Sequence, residues 1–442
     1  MPSATISPNS VTLPAELSVV GPRPLRGRLR LPGDKGITHR ALLFAALTEG
    51  RSRVTGVPDG DDVHRTRAAL GHLGVRSRAT GDAVSVQGPG GGLRESAQVI
   101  DCGNSGTTIR MVAGLVAAHP FLTVLTGDAS LVARPMARIA DPLRALGADV
   151  DGREEGTRAP LAIRGGALHG TRCELPVASG QVKTALVLAG LQADGTTEVV
   201  EPAPSRDHTE RMLTALGAPI EVVDERTLRV RRGVPLSAFE LEVPGDPSAA
   251  AFFAVAASVT PGSAIVLEGV SINPTRIGFV EVLGRMGGRV HVRPTGERLG
   301  EPVGDIEVEA APLSATTISP DEGSIDEIPA LAVAAAFADG VTEITDASEL
   351  RVKESDRIGT LEQELCQLGV TVEARPDGLA IRGGRPRAGE LKSHGDHRVA
   401  MAAAVAAVAC DGQSTVRGWR AVASSYPRFA DDLATLTDGI GA

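Results

Sequence analysis

Cationic side chains stand at the openings of helical stretches along this chain. Lys35 and Arg40 flank the start of GDKGITHRALLFAAL, and Arg110 lies inside NSGTTIRMVAGLVAA. Arg134 occupies an A-R-P-M turn, Lys353 and Arg357 fall in RVKESDRI, and Arg398 belongs to GDHRVAM. A lysine at a helix N-terminus opposes the helix dipole and calls for an anion to offset it. Singly, each of these reads as a solvated helix start. As a set they suit the capture of phosphates and carboxylates, because helix N-termini already present unpaired N–H groups to such ligands.

Carboxylates accompany them. Glu354 lies beside Lys353 and Arg357, which are one helical turn apart, a pattern that alone would read as a salt-bridged surface helix. Asp326 opens the apolar run of SIDEIPAL, where it reads either as an N-cap or as a general base whose pKa is set by burial and neighbouring cations. Asp396, His397 and Arg398 open another run, and a capped helix there looks the same as an anion clamp.

The elements that must position these residues repeat. Ala-rich helical stretches open near Gly36, Asn104, Gly180, Ser248, Asp326 and Asp396, spaced 68 to 78 positions apart. A second marker, a helix ending in L-G or M-G, recurs out of phase at Leu73, Leu146, Leu216, Met286 and Leu368. Two markers with one period identify a repeat. Between them lie β-branched segments such as SRVTG, FLTVLTG and TTEVVE, so the unit reads strand, buried helix, strand, amphipathic helix, hairpin. The tripeptide Pro-Gly-Asp closes two apolar strands, at 32–34 and 244–246, and predicts a two-strand hinge. The expected domains are 34–245 and, crossing twice, 1–33 with 246–442.

Composition bounds the partners. At 442 residues the chain exceeds one ordinary core, and with 2% aromatics its cores must be built from Ala, Val, Leu and Ile. A formal charge of −9 argues against a general nucleic-acid or acidic-membrane surface, so any anion must be caught by a local cluster of cations. Cys102, Cys173, Cys366 and Cys410 show no C-x-x-C spacing, and the first residues carry neither a basic nor an apolar leader region. No apolar run reaches the ~18 residues of a membrane span. The expectation is a cytoplasmic protein with reduced thiols.

PGDKGITHRALL, DCGNSGTTIR, GDASLVARPM, PVASGQVKTALVLAGLQA, SRDHTERML, NPTRIGFVEVL, SIDEIPAL, RVKESDRI, SHGDHRVAM and SSYPRF resemble, in order, the signature blocks of 5-enolpyruvylshikimate-3-phosphate (EPSP) synthases, in a form similar to that of many Gram-positive bacteria. The resemblance runs from about residue 20 to about 435. It implies an α/β protein of two domains, an inside-out α/β barrel of six βαβαββ repeats. It implies transfer of the enolpyruvyl group of phosphoenolpyruvate to the 5-hydroxyl of shikimate 3-phosphate, with no metal or organic cofactor, in a cytoplasmic monomer. By the same resemblance Lys35 serves both substrates and Arg40 the shikimate carboxylate. Gly106, Arg134, Arg357 and Arg398 hold phosphoenolpyruvate, Ser179, Gln181 and Ser205 lie at the shikimate phosphate, and Lys353 is shared. Asp326 matches the base on the 5-hydroxyl and Glu354 a proton-transfer group.

The chain departs from the pattern in places. Gly36 stands where the family has a serine, and loss of one hydrogen bond to a charged group costs roughly 1.5–3 kcal/mol. Gly180 replaces a commoner alanine or serine, Glu322-Gly323-Ser324 replaces an Ile-Pro-Arg, and Ser424 replaces a lysine of some relatives. Gly36 leaves open a second reading, an enolpyruvyl transferase acting on another phosphorylated alcohol such as a nucleotide. The related UDP-N-acetylglucosamine transferases usually carry a cysteine where this chain has Ala129, which disfavours that acceptor.

Overall fold

The computed structural model describes residues 13–89, 92–320 and 325–437, so the first twelve residues and Glu322-Gly323-Ser324 lie outside the described residues. Six central helices are buried almost all round: α1 (Lys35–Ala45), α2 (Gly106–Val116), α3 (Gly180–Gly190), α4 (Pro247–Val259), α5 (Ile328–Phe337) and α6 (His397–Ala409). Five open on a side-chain cap: Asp34, Ser105, Ser179, Asp246 and Asp396 each accept a backbone N–H from the first turn. Small residues let these helices touch backbone to backbone. On α2, a Cβ at Gly114 would stand 2.1 Å from the Ala185 carbonyl oxygen of α3.

The repeat unit appears as expected. Strand Arg172–Glu174 leads to α3 and then to the parallel strand Thr196–Val200, followed by the outer helix His208–Ala215 and the hairpin Ile220–Val222/Thr227–Arg231, which completes a four-stranded sheet. The L-G and M-G markers also find their cause. Leu73, Leu146, Leu216, Met286 and Leu368 are C-caps, and the glycines after them, Gly74, Gly147, Gly217, Gly287 and Gly369, take φ from 71° to 105°. That left-handed step ends the helix and turns the chain into the hairpin.

Buried apolar side chains form two clusters, one drawn from residues 37–243 and the other from residues 25–31 and 249–436; we call them the first and second lobes. The second holds Trp419, Tyr426, Phe429, Phe252 and Phe253 in mutual contact. At each crossing the strand joins the sheet of its own lobe. Arg26–Arg30 pairs with Ala264–Ser271 of the second lobe, whereas Glu240–Glu242 pairs with Arg51–Thr55 of the first. The two Pro-Gly-Asp segments then bond each other, with the Asp34 N–H donating to Pro244 at 2.7 Å and the Asp246 N–H to Pro32 at 3.0 Å. Arg276, fully buried, bridges Asp34 at 2.5 Å and Asp246 at 3.1 Å. Among the described residues no helix is long and apolar enough to cross a membrane, and all four cysteines are free.

Gly217 has open space around its missing Cβ, so its φ of 71° is the only demand it meets. Gly217→Ala should cost roughly 1 kcal/mol and Gly217→Asn distinctly less, read from the urea midpoint.

Candidate active site

The first lobe presents three helix starts. Lys35 is the first residue of α1, and its Nζ lies 2.8 Å from Asp62 at the start of helix Asp61–His72. On α2, Gly106 leaves room for two guanidinium groups: a Cβ there would stand 2.9 Å from an Arg110 nitrogen and 3.2 Å from an Arg134 nitrogen. Arg134 donates to Asn104 Oδ1 at 2.6 Å. Gln181, in the first turn of α3, accepts from Arg110 at 2.8 Å and donates to Thr107 Oγ1 at 3.0 Å, which fixes the orientation of its amide.

Three of the expected first-lobe residues turn inward. Arg40 donates to Thr209 Oγ1 at 2.8 Å, to the Gly36 carbonyl at 2.9 Å and to the Gly180 carbonyl at 3.0 Å. Burial draws its pKa down to about 10, so it stays charged at neutral pH. It ties together the openings of α1 and α3 and the helix His208–Ala215. A Cβ at Gly36 would stand 3.1 Å from Asp34 Oδ1 and 3.3 Å from Arg40, so a serine there needs one of these side chains to shift by a few tenths of an ångström. Ser179 caps α3, its hydroxyl accepting the Val182 N–H at 3.4 Å. The Ser205 hydroxyl is buried with no hydrogen-bond partner, and its carbonyl accepts from Lys183 at 3.5 Å. Lys183 itself is buried between Glu201 and Glu210, at 2.7 and 2.6 Å.

Across the cleft the second lobe centres on Asp326. One of its carboxylate oxygens lies 3.5 Å from Arg357 and 3.7 Å from Lys353; the other lies 2.5 Å from Arg206 and 3.8 Å from Arg398, which also donates to its carbonyl at 2.7 Å. Asp326 is not the N-cap of α5: Glu327 holds that position and makes no side-chain cap bond. Burial alone would raise the Asp326 pKa, but Lys353, Arg398, Arg206 and Arg357 together outweigh it and hold the carboxyl well below its ordinary value. Glu354 lies 2.6 Å from Arg357 and 3.7 Å from Arg134. There too burial is outweighed by cations, Arg357 foremost, and the pKa falls well below the ordinary glutamate value. Arg357 is 1% exposed and also grips Asp396, the cap of α6, at 2.8 Å. His397 is pulled to about 4 by burial and by the field of Lys35, so it is neutral.

The structure therefore gathers Lys35, Gly106, Arg134, Gln181, Asp326, Lys353, Glu354, Arg357 and Arg398 around one cleft between the lobes. Arg40, Ser179 and Ser205 form a supporting layer beneath it. Three contacts were not singled out from sequence: Arg206 on Asp326 and the rim pair Arg138–Glu349 at 3.0 Å, both between lobes, and Asp62 on Lys35 within the first lobe. The only sequence signal for Arg206 is that it follows Ser205 in SRDHTERML. A cavity of about 530 Å³ lies nearby, lined by Lys183, Ser205, Glu210, Arg226 and Thr275 among others, but none of the cations gathered on Asp326 and Glu354 lines it.

Comparison with known proteins points one way. Residues 19–433 match the family model of EPSP synthase (3-phosphoshikimate 1-carboxyvinyltransferase). The 3-phosphoshikimate 1-carboxyvinyltransferase of Herpetosiphon aurantiacus is 48% identical over 420 residues, covering 94% of this chain and 97% of that protein. That of Thermus thermophilus is 50% identical over 416 residues, covering 93% and 97%. The solved structure of EPSP synthase from Acinetobacter baumannii superimposes with a TM-score of 0.85 at 40% identity, over 96% of this chain and 98% of that one. The enolpyruvyl transferase NikO from Streptomyces tendae shares the fold, with a TM-score of 0.76 over 95% and 96% of the chains, at 19% identity.

Asp326 carries a testable pH dependence. Its folded pKa lies below the unfolded value of about 3.9, so the stability it contributes is present above that pH and is lost as the pH falls through the folded pKa. Asp326→Asn leaves four cations without their shared counter-charge. It should be less stable than wild type at pH 7 and should lose less on acidification to pH 3, as followed by thermal melts across that range.

Proposed function

The chain belongs to the EPSP synthase family, and from that premise we infer which of its side chains carry the reaction. Its reaction moves the enolpyruvyl group of phosphoenolpyruvate to the 5-hydroxyl of shikimate 3-phosphate and releases phosphate. The C3 methylene is protonated and C2 becomes electrophilic. The hydroxyl oxygen bonds to C2 and yields its proton. The C2–O bond to phosphate then breaks as C3 loses a proton and the double bond returns.

The residue roles follow from charge. Two substrates, each carrying a phosphate and a carboxylate, repel one another unless cations lie between them. Arg134, Arg357 and Arg398, with the close approach that Gly106 permits, form the phosphoenolpyruvate side. Ser179, Gln181 and Ser205 form the acceptor-phosphate side and Arg40 the side of its carboxylate, while Lys35 and Lys353 are shared. Asp326 takes the 5-hydroxyl proton and Glu354 exchanges a proton with C3. Cations preorganised around the tetrahedral intermediate stabilise it more than either ground state. The observation that carries this reading is Asp326 ringed by cations from both lobes, in a chain 48–50% identical to named 3-phosphoshikimate 1-carboxyvinyltransferases over more than nine-tenths of its length.

Residues 34–245 would act as one domain and 1–33 with 246–442 as the other, hinged at the paired Pro-Gly-Asp segments. Closure shields the intermediate from water. We further propose a cytoplasmic monomer. A nucleotide acceptor has weaker support, since the only likeness in that direction is the shared fold of a 19%-identical enolpyruvyl transferase.

Phosphate release from phosphoenolpyruvate should require shikimate 3-phosphate and should not be supported by UMP or UDP-N-acetylglucosamine. Turnover only with a nucleotide would overturn the reading. Asp326→Ala should lower kcat by about 10²–10⁴, while the dissociation constant of shikimate 3-phosphate changes far less; equal loss of both would remove Asp326 from the base role.

A further inference from the structure

We propose that Gly60 is a positioning residue for this reaction, its missing side chain setting how far the two lobes can shut; the proposal rests on the reaction given above. Gly60 is the N-cap of helix Asp61–His72 in the first lobe, and the atoms nearest its absent Cβ belong to the backbone of the second lobe. A Cβ there would stand 3.0 Å from the Ser424 carbonyl oxygen, and 3.2 Å from both the Cα and the carbonyl oxygen of Ser425. The backbone of Gly60, with φ −107° and ψ 147°, is extended and open to any residue. Neither a turn nor strain calls for glycine at this position. The approach of the opposite lobe does.

Both walls of this contact are firm. On one side the N–H groups of Val63 and His64 donate to the Gly60 carbonyl at 3.1 and 3.2 Å. On the other, Ser424 ends the short helix Trp419–Ser424, whose Trp419 is buried against Phe429. The Ser425 N–H donates to Val422 at 3.2 Å, and the Tyr426 hydroxyl donates to Asp432 at 2.6 Å. The cheapest way to fit an added methyl group is for the lobes to stop a few tenths of an ångström short.

That shortfall falls where the chemistry is sensitive. Two positions after Gly60, Asp62 holds Lys35 at 2.8 Å, so one helix start carries both the contact with the far lobe and the grip on a substrate-binding ammonium. Lys35, Arg134 and Arg206 come from the first lobe and Asp326, Glu354, Arg357 and Arg398 from the second, so incomplete closure lengthens every distance between the two sets. Small misplacements of reacting groups are expensive in rate.

The test is Gly60→Ala in the full chain. Expected are a fall in kcat for phosphate release of about tenfold, a shikimate 3-phosphate dissociation constant within about threefold of wild type, and an unchanged melting temperature. Gly60→Ser should lose at least as much kcat. Ser424→Ala should keep the wild-type kcat, because its hydroxyl bonds only the Ala421 carbonyl of its own segment and the contact is with backbone. The proposal is overturned by a wild-type kcat in Gly60→Ala, by a kcat loss that tracks a drop of several degrees in melting temperature, or by an equal loss in Ser424→Ala. Turnover by the wild-type protein is read separately, so failure of the assigned reaction is not confused with failure of the positioning role.

Discussion

The cleft gathers cations that repel one another, and the protein must neutralise them with its own carboxylates until ligands do so. Lys35 has Asp62, Arg134 has Glu354, and Arg206, Lys353, Arg357 and Arg398 share Asp326. At a separation near 4 Å a unit pair is worth about 4 kcal/mol in a partly screened medium, enough that no member can be removed without consequence. Two of these pairs, Arg134–Glu354 and Arg206–Asp326, join the two lobes, so charges proposed to bind substrate also draw the lobes together. Arg357 and Arg398 are nearly fully buried in that state. On the proposed roles, substrate phosphates and carboxylates take over the part that Asp326 and Glu354 fill here.

The repeat delivers these groups to one place. Lys35, Gly106 and Gly180 are the first residues of their helices, Gln181 and Arg398 the second, and Arg357 opens an outer helix. Asp326 lies just before the cap of α5. A helix start is well suited to hold such a side chain, since the buried body of the helix is rigid while its first turn faces the cleft with unpaired N–H groups. The exception is α4. Its start, at Asp246 and Ser248, is occupied by Arg276, which also holds Asp34, so this opening serves the crossing between lobes and not the site. Five central helices supply the cleft and one anchors the crossing between the lobes.

What was legible in the sequence is what depends on local pattern. The buried helices, the left-handed glycines that end the outer helices, and the cations at element starts all follow from residues a few positions apart. Asp326 shows where this stops: a lone acid before an apolar run looks like a cap, and only the approach of Arg206 from the other lobe reveals its surroundings. The grip of Asp62 on Lys35 was hidden as well, because it depends on how two helix starts of one repeat pack together. Arg40 reads as one more cation at a helix start, yet its guanidinium is spent on the Gly36 and Gly180 carbonyls and on Thr209. The two glycines that depart from the family pattern are thus joined by a single buried arginine, which no spacing argument links.

A carboxylate held as firmly ionised as Asp326 is a poor base, because the cations that lower its pKa also lower its pull on a proton. The difficulty disappears once the cleft is filled. Each phosphate or carboxylate that pairs with Lys353, Arg357 or Arg398 withdraws part of the field on Asp326, and a hydroxyl placed against it replaces lost solvent. Its affinity for a proton therefore rises only when both substrates are present and the lobes are shut around them. Glu354 is subject to the same rule through Arg134 and Arg357. On the proposed roles, proton transfer in this site is conditional on occupancy, and the closing of the lobes belongs to the acid–base chemistry as well as to binding.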